Sequence, residues 1–237
     1  MSLDANIELS VVMPVYNEEG SIEKAIYEVQ EHILNKVPSN LIVVNDGSKD
    51  RTLEIVEKIC AGNQQIKVIN QTNRGHGGAL LTGISATTSE YIFLIDSDRQ
   101  IPLSAFEDLW KQAKTHDLVM GVRKNRQDPP TRLILTKLVR QSIRLFFGVE
   151  ANDANVPFKI LNRNLWTAAT KYIPDDSLTP SLLLCVFALC KKYRVHEVEV
   201  PHRERMAGQS TIRHFKLLKF CAKAFSQLME FRRRLAA

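Results

Sequence analysis

The stretch Tyr91–Pro102, YIFLIDSDRQIP, decides the fold class of this chain. Its first part, Tyr91–Asp96, is almost entirely apolar and predicts a strand that is buried on both faces, as in parallel sheets. Carboxylates follow at once at Asp96 and Asp98, and Pro102 suits the first turn of a helix. Parallel α/β sheets bind ligands at the carboxyl ends of their strands, so this junction predicts a binding site.

The same alternation of strand and helix extends on both sides of this stretch. Apolar and β-branched runs predict strands at Glu8–Val15, Leu41–Asn45, Ile66–Asn70 and Leu118–Gly121. Between them apolar residues recur at helical spacing, and a glycine-rich turn over Gly75–Gly78 precedes a predicted helix over Ala79–Ala86. This rhythm predicts a mostly parallel sheet with crossover helices.

The second half of the chain is less regular. It predicts helices at Arg132–Phe147, Pro180–Lys192 and Thr211–Arg234, and a strand at Val195–Val200. We find no internal repeat and no linker-like stretch. The expected organisation is one α/β domain over residues 1–210, followed by a basic amphipathic helix over residues 211–237.

The composition is that of a globular protein. Of 237 residues, 44% are apolar and 24% charged, which excludes disorder and low complexity. Four scattered cysteines are too few for a disulfide scaffold, and we expect reduced, buried thiols in a cytosolic protein. No leader peptide is visible, and the longest apolar run, Leu182–Cys190, is too short to span a membrane.

The net charge of +6 is unevenly distributed along the chain. Residues 1–120 carry 10 Lys and Arg against 17 Asp and Glu, whereas residues 121–237 carry 22 against 9. A basic half points to an anionic partner: a nucleic acid, a phosphorylated substrate or an anionic lipid. Nucleic acid is disfavoured because the basic residues are not interleaved with aromatic residues that could form a stacking platform.

The pattern Asp96-x-Asp98-x-Gln100 carries the strongest chemical signal. Residues two apart on an extended backbone project to the same side, so two carboxylates and an amide oxygen would converge. Such oxygen ligands suit Mg²⁺ or Mn²⁺. The alternative is a pair of solvated carboxylates that cap the next helix.

Two further polar stretches admit two interpretations each. Asp46, in Asp-Gly-Ser, either forms a turn or accepts hydrogen bonds from a nucleobase or ribose. The stretch Arg74–Gly78 could hold a phosphate, although it is not a P-loop motif. His76 within it is a poor catalytic candidate, because the sequence shows no partner for a single histidine in a turn.

These blocks together resemble family-2 glycosyltransferases, which are inverting enzymes of the GT-A fold with nucleotide-sugar donors. The resemblance covers roughly Ser10 to Ser210, nearly the whole chain. It is carried by the following blocks: VVMPVYNEEGSIEKAI, VVNDGSKDRT, NRGHGGALLTGI, YIFLIDSDRQIP and Arg205–Ser210, RMAGQS. Three features resemble the polyprenyl-phosphate branch, which includes dolichyl-phosphate mannosyltransferase: Gln100, the run Gly121-x-Arg123-x-x-Arg126-x-Asp128, and Asp153-x-x-x-x-Phe158-Lys159.

The resemblance implies a role for each matching position. Residues 1–120 would bind the nucleotide sugar, and residues 121–210 the acceptor. The nucleotide-binding residues would be Pro14, Tyr16, Glu18, Asp46 and Asp96. The metal ligands would be Asp96, Asp98 and Gln100. The catalytic residues would be Asp98, Asp153 and Arg205. The phosphate and acceptor contacts would be Arg123, Lys137 in the basic helix, Lys159 and Ser210.

Three departures from the family pattern bear on these roles. Asn45 replaces the first acid of the usual Asp-Asp-Gly-Ser, and Val156-Pro157 replaces a small residue and a glycine in the acceptor block. Val-Pro cannot copy the backbone freedom of glycine, so this departure concerns the acceptor more than the donor. The membrane-spanning helices of many relatives are absent from this sequence.

The role of Asp153 depends on whether the acceptor is a hydroxyl group or a phosphate. A hydroxyl acceptor requires a general base, and Asp153 is the best candidate. A phosphate acceptor is already anionic, and Asp153 would then only position Lys159 or the acceptor. The third interpretation is a surface aspartate in a polar loop.

The resemblance predicts transfer of a hexose from UDP- or GDP-hexose to a polyprenyl phosphate, with Mg²⁺ or Mn²⁺. A saccharide acceptor, as in capsule or cell-wall synthesis, is the enzymatic alternative. A catalytically silent nucleotide-binding or scaffold protein is the other. We expect a cytoplasmic chain at the inner face of the membrane, with no nucleic-acid partner. The apolar face of the C-terminal helix, which includes Phe225 and Met229, would enter the lipid interface, pack on the protein's own core or pack in a dimer.

Overall fold

A computed structural model describes residues 7–124, 130–203 and 214–236. It confirms the predicted fold class: a seven-stranded, mostly parallel sheet with helices packed against it. The strands are β1 Leu9–Val15, β2 Ser39–Asn45, β3 Ile66–Asn70, β4 Tyr91–Ile95, β5 Leu118–Lys124, β6 Phe158–Asn162 and β7 Val195–Pro201. The helices are α1 Ile22–Val29, α2 Thr52–Ala61, α3 Gly75–Ser85, α4 Phe106–Ala113, α5 Pro130–Phe147, α6 Arg163–Ala169, α7 Pro180–Cys190 and α8 His214–Ala236.

The strand order is β3-β2-β1-β4-β6-β5-β7. Six strands run parallel, and β6 lies antiparallel between β4 and β5. Because β6 runs in the opposite direction, the loop before it reaches the edge where the other six strands end. The polar residues of the sequence blocks and the loop that carries Asp153 therefore share one edge of the sheet.

Burial on both faces explains the apolar strands. Every residue of β1, β2 and β4 is buried, and Phe93 of β4 packs edge-on against Phe158 of β6, with ring centroids 4.9 Å apart. Helix α7 is buried almost throughout, which explains its continuous apolar run. Burial of a large apolar side chain contributes roughly 1.5–3 kcal/mol, so this central layer dominates the stability.

The structure corrects three local predictions. Gly75–Gly78 is the first turn of α3, not a turn that precedes a helix. β6 and α6 lie in a stretch for which the sequence indicated no element. Of the four thiols, only Cys185 is fully buried, whereas Cys60, Cys190 and Cys221 are half-buried.

The C-terminal part of α8 packs on the protein. Leu228 and Phe231 are 6% and 0% exposed, and the rings of Phe231 and Phe147 lie 6.0 Å apart. The Gln227 side chain accepts a hydrogen bond from Leu178 N at 2.9 Å and donates one to Asp176 O at 3.0 Å. Leu228 and Phe231 therefore pack on the core, whereas Phe225 of the predicted apolar face is 46% exposed, so the choice between lipid and packing stays a prediction for that face. In the part of the chain that is described, no helix combines the length and apolar character that a membrane crossing requires.

Candidate active site

The loops after β1 and β2 form one wall of the candidate site. Asn17 N donates to Ser48 Oγ at 3.0 Å, and Asn17 Oδ1 accepts from Lys49 N at 2.8 Å. Glu18 N donates to Thr52 Oγ1 at 2.8 Å. Asn17 has a φ of +53°, a sharp reversal directly after β1. These reciprocal bonds hold the two loops at a fixed distance, so they form a preorganised wall.

Three predicted nucleotide-binding residues lie along this wall. Pro14 is buried within β1, Tyr16 is half-buried at its end, and Glu18 is 8% exposed. The Glu18 carboxylate accepts a hydrogen bond from Ser21 Oγ at 2.6 Å, at the start of α1. The structure thus brings these positions to one end of the sheet, beside the end of β2.

Asp46, at the end of β2, is 3% exposed. Its Oδ1 accepts from Gln71 Nε2 and from Arg74 N, both at 2.7 Å. Within the described residues both bonds use Oδ1, which leaves Oδ2 for a ligand. A buried carboxylate with one oxygen already bonded suits a fixed acceptor for a nucleobase or ribose hydroxyl.

The residue before Asp46 departs from the family pattern, and the structure shows a local partner for it. The Asn45 amide donates to Asn70 Oδ1 at 2.8 Å, across the β2–β3 pair. Asn45 is 1% exposed, so an amide here avoids a buried charge. The change from the usual acid is therefore compatible with the retained Asp46.

Asp96, Asp98 and Gln100 lie where β4 ends, and all three are half-buried. Arg99 between them has a φ of +59° and pairs with Glu28 of α1, which anchors the turn. Asp98 Oδ1 accepts from Gln100 N at 3.1 Å, and Gln100 O accepts from Arg203 N at 2.8 Å. The chain after β7 therefore passes directly beside this turn.

The donor set fits a hard divalent cation that shares its coordination with substrate. Two carboxylates and an amide supply only oxygen ligands near the surface. Among residues 7–124, 130–203 and 214–236, no three His, Cys, Asp or Glu side chains form a metal site by themselves. A cation here would need water or diphosphate oxygens as its other ligands.

His76 has a partner that the sequence reasoning missed. Its Nε2 lies 2.8 Å from Asp96 Oδ1, because the first turn of α3 faces the end of β4. Partial desolvation opposes the charged imidazole, but the carboxylate of Asp96, with weaker contributions from Asp98 and Asp46, raises the pKa of His76. His76 therefore has a partner, and the expectation of an unpartnered histidine is wrong. The histidine at the start of a glycine-rich helix, next to a strand ending in carboxylates, was the signal available.

Close packing holds α3 in this place. A Cβ on Gly77 would lie 2.2 Å from Ser177 O, in the loop before α7. Arg74 Nη2 donates to Asp175 O in the same loop at 3.2 Å. The glycines thus let the helix approach another backbone.

Arg123 and Asp153 form a buried bidentate ion pair. Nε of Arg123 lies 2.7 Å from Oδ2 of Asp153, and Nη2 lies 2.9 Å from Oδ1. The two side chains are 13% and 5% exposed. Asp153 is therefore not a solvated surface aspartate, and both of its oxygens are engaged by one guanidinium.

Lys159 does not face an acceptor, contrary to the prediction. It is 0% exposed, and its ammonium donates to Ala154 O at 2.7 Å, Val156 O at 2.9 Å and Ser181 Oγ at 2.7 Å. Burial lowers its pKa to about 8. Two of these bonds go to carbonyl groups of the loop that carries Asp153, and the third goes to Ser181 of α7, so Lys159 links that loop to the helix. This is also the loop in which Val156-Pro157 departs from the family.

The remaining predicted phosphate and acceptor residues are either exposed or outside the described part of the chain. Lys137 is exposed on α5. Arg205 and Ser210 lie outside the described residues, as do Arg126 and Asp128.

The mostly parallel sheet with carboxylates at the end of β4 is a GT-A-type arrangement. The chain belongs to glycosyl transferase family 2, whose family model matches residues 10–173. The chain is 29% identical over 219 residues to undecaprenyl-phosphate 4-deoxy-4-formamido-L-arabinose transferase of Shewanella sediminis, covering 89% of this chain and 63% of that protein. It is 29% identical over 220 residues to an uncharacterized glycosyltransferase of Synechocystis, covering 90% and 67%. The chain spans slightly less than two thirds of the length of the arabinose-transferase relatives.

Solved structures share the fold. Glucosyl-3-phosphoglycerate synthase from Mycobacterium tuberculosis, crystallised with Mn²⁺, UDP and glucosyl-3-phosphoglycerate, superposes with a TM-score of 0.70 at 20% identity. The superposition covers 97% of this chain and 81% of that chain. At this identity the likeness shows the fold alone.

Proposed function

We propose that this chain transfers a sugar from a nucleotide sugar to a polyprenyl phosphate in a single, inverting displacement. One observation carries the proposal: one edge of the sheet holds the buried Asp46, the Asp96–Asp98 turn and the Arg123–Asp153 ion pair. A nucleoside pocket, a diphosphate site and a cationic acceptor site would then follow one another along this edge. The names of the undecaprenyl-phosphate relatives support the lipid-phosphate acceptor.

Asp46 would fix the nucleoside through Oδ2, next to the wall formed by Tyr16 and Glu18. Asp96, Asp98 and Gln100 would hold Mg²⁺ or Mn²⁺ against the donor diphosphate. The cation would stabilise the negative charge that the leaving nucleoside diphosphate gains. Arg205 and Ser210, which follow shortly after Arg203, would add phosphate contacts.

The acceptor phosphate oxygen would attack the anomeric carbon as the bond from that carbon to the diphosphate breaks. A phosphate monoester is already anionic near neutral pH, so no proton has to be removed. Asp153 then does not act as a base. With both oxygens on Arg123, it orients that guanidinium toward the acceptor phosphate. This pairing is the specific reason to favour a phosphate over a saccharide hydroxyl.

The sugar and the base are open to assay. The prediction of a hexose stays a prediction, since the relatives' names specify an arabinose derivative and the similar structures carry a glucosyl group. We likewise place the chain at the cytoplasmic face of a membrane as part of the proposal, because a polyprenyl acceptor is held there.

The test is a screen of UDP- and GDP-sugars, each with Mn²⁺, against three acceptors: a short-chain polyprenyl phosphate, an oligosaccharide and 3-phosphoglycerate. We expect transfer to the polyprenyl phosphate and its loss in Asp98→Asn, which keeps the side-chain shape. Transfer only to another acceptor would refute the acceptor assignment. Thermal stabilisation by a nucleoside diphosphate with Mn²⁺, but no turnover with any donor, would instead indicate a silent nucleotide-binding protein.

A further inference from the structure

Exposed large apolar side chains concentrate on one helix. Of the six such side chains in the described residues, four lie on α5 and a fifth, Phe225, lies on α8. The four are Leu133, Ile134, Leu138 and Leu145, with exposures of 41%, 61%, 53% and 76%. Single exposed apolar residues are ordinary on a protein surface, but a cluster marks a surface that another body covers.

The spacing aligns three of these residues. At about 100° per residue, Ile134, Leu138 and Leu145 fall within about 40° of one another. Ile143, nine residues after Ile134, points about 180° away and is 1% exposed. Helix α5 therefore buries one face in the core and presents a second apolar stripe outward. We call Ile134, Leu138 and Leu145 the outer stripe.

Positive charge borders one side of the outer stripe. Lys137, Arg140 and Arg144 are all exposed, and the sequence of α5 contains no acidic residue. Arg144 lies 3.3 Å from Glu150, but both side chains are mostly exposed, so this pair is weak. On α8, Arg232 lies over the ring of Phe146, 5.7 Å from its centroid, and extends the basic border.

We propose that the outer stripe of α5 is the surface by which this protein docks on an anionic lipid bilayer. The proposal rests on the proposed function, since a polyprenyl phosphate is held in a membrane. An apolar stripe with a basic border suits the interface between headgroups and acyl chains. A second copy of this chain fits less well, because a symmetric contact would bring two basic, acid-free helices together.

The position of α5 agrees with this role. The helix begins at Pro130, six residues after the end of β5, the strand that carries Arg123. A bilayer under α5 would therefore lie close to the acceptor end of the site. The proposed docking surface lies on α5, whereas the C-terminal part of α8 buries Leu228 and Phe231 in the core and exposes Phe225.

The experiment is co-sedimentation of the full chain with vesicles of phosphatidylcholine alone or with phosphatidylglycerol. We expect binding to the anionic vesicles at low salt, weaker binding to the neutral ones, and release at high salt. The double variant Leu138→Gln/Leu145→Gln should weaken partition at least tenfold. The variant Arg140→Gln should weaken it about fivefold, and only on anionic vesicles.

Tyr27→Gln is the matched control. Tyr27 is 52% exposed on α1, away from the stripe, and its replacement should leave partition unchanged. Unchanged thermal midpoints would show that the α5 variants fold, which their exposure favours. The proposal would be overturned by an equal loss of vesicle binding in the control, by no binding to anionic vesicles, or by binding that the α5 changes do not affect. So would light scattering that shows a dimer lost in the double variant.

Activity on a soluble, short-chain polyprenyl phosphate separates this proposal from the proposed function. The double variant should retain that activity while losing transfer to lipid in vesicles. If no polyprenyl phosphate is ever a substrate, the vesicle assay still decides whether the outer stripe binds membranes.

Discussion

The Arg123–Asp153 pair allows a quantitative test of the mechanism. In the wild type, Nε and Nη2 of Arg123 lie 2.7 and 2.9 Å from the two carboxylate oxygens of Asp153. Asp153→Asn keeps an oxygen opposite Nε but places an amide NH₂ group opposite Nη2. One charge-assisted hydrogen bond, worth about 1.5–3 kcal/mol, is lost. The guanidinium, 13% exposed, loses the counter-charge that Asp153 provides. We expect the free energy of unfolding to fall by about 2–4 kcal/mol.

The effect on catalysis should be smaller than the loss of a base. If Asp153 only orients Arg123 toward an acceptor phosphate, kcat should fall by less than about tenfold, with a higher KM for the acceptor. Removal of a general base costs about 10²–10⁴-fold in rate. The assay is the turnover of Asp153→Asn with the polyprenyl phosphate, together with nucleotide binding measured by calorimetry.

Asp117→Asn is the matched control for this experiment. Asp117 also accepts two hydrogen bonds from one guanidinium, that of Arg194, at 3.1 and 3.2 Å. It lies at the start of β5, on the edge of the sheet opposite the candidate site. It should leave kcat unchanged and reduce stability less, because Arg194 is 66% exposed. A loss near 10⁴-fold in Asp153→Asn, with normal nucleotide binding and an active control, would refute the positioning role and restore the general base.

Three further predictions concern the metal, the packing of α3 and the buried lysine. EDTA should abolish transfer by the wild type, and added Mn²⁺ or Mg²⁺ should restore it. Asp98→Asn should stay inactive with either metal, and full activity of the wild type in excess EDTA would contradict the metal role. Gly77→Ala should destabilise the fold by about 1–3 kcal/mol in urea unfolding and weaken donor binding in calorimetry, because its Cβ would lie 2.2 Å from a carbonyl oxygen. Gly20→Ala is the control: a Cβ there would have no atom within 4 Å, so stability and donor binding should not change. The pKa of Lys159, lowered by burial from 10.5 to about 8, means that the unfolded chain binds more protons between these pH values, so stability rises with pH there. Relative to Lys159→Met, the wild type should gain about 2 kcal/mol in urea unfolding between pH 7.5 and 10, and a constant difference would argue against the lowered pKa.

Local pattern was sufficient for most of the architecture. Apolar runs of four to eight residues predicted β1 to β5 close to their observed bounds, and the alternating residues of Val195–Val200 predicted β7. Strands β1, β2 and β4 are buried on both faces, and such strands have a composition that no exposed element tolerates. Helical spacing likewise located α1, α4 and α5. The edge position of Asp46, Asp96 and Asp98 also followed, since parallel strands all end on one side.

The partners of the charged residues were decided only by the tertiary structure. The antiparallel insertion of β6 brings Asp153 into contact with Arg123 and buries Lys159 beside the same loop. No local sequence pattern shows that a strand runs antiparallel to its neighbours. The His76–Asp96 contact needs α3 seated against the end of β4, with Gly77 pressed on a distant loop. Periodicity along the chain reports which face of an element is buried, because burial repeats with the element's own geometry. It does not report which two charges meet, because that distance depends on contacts between segments far apart in sequence.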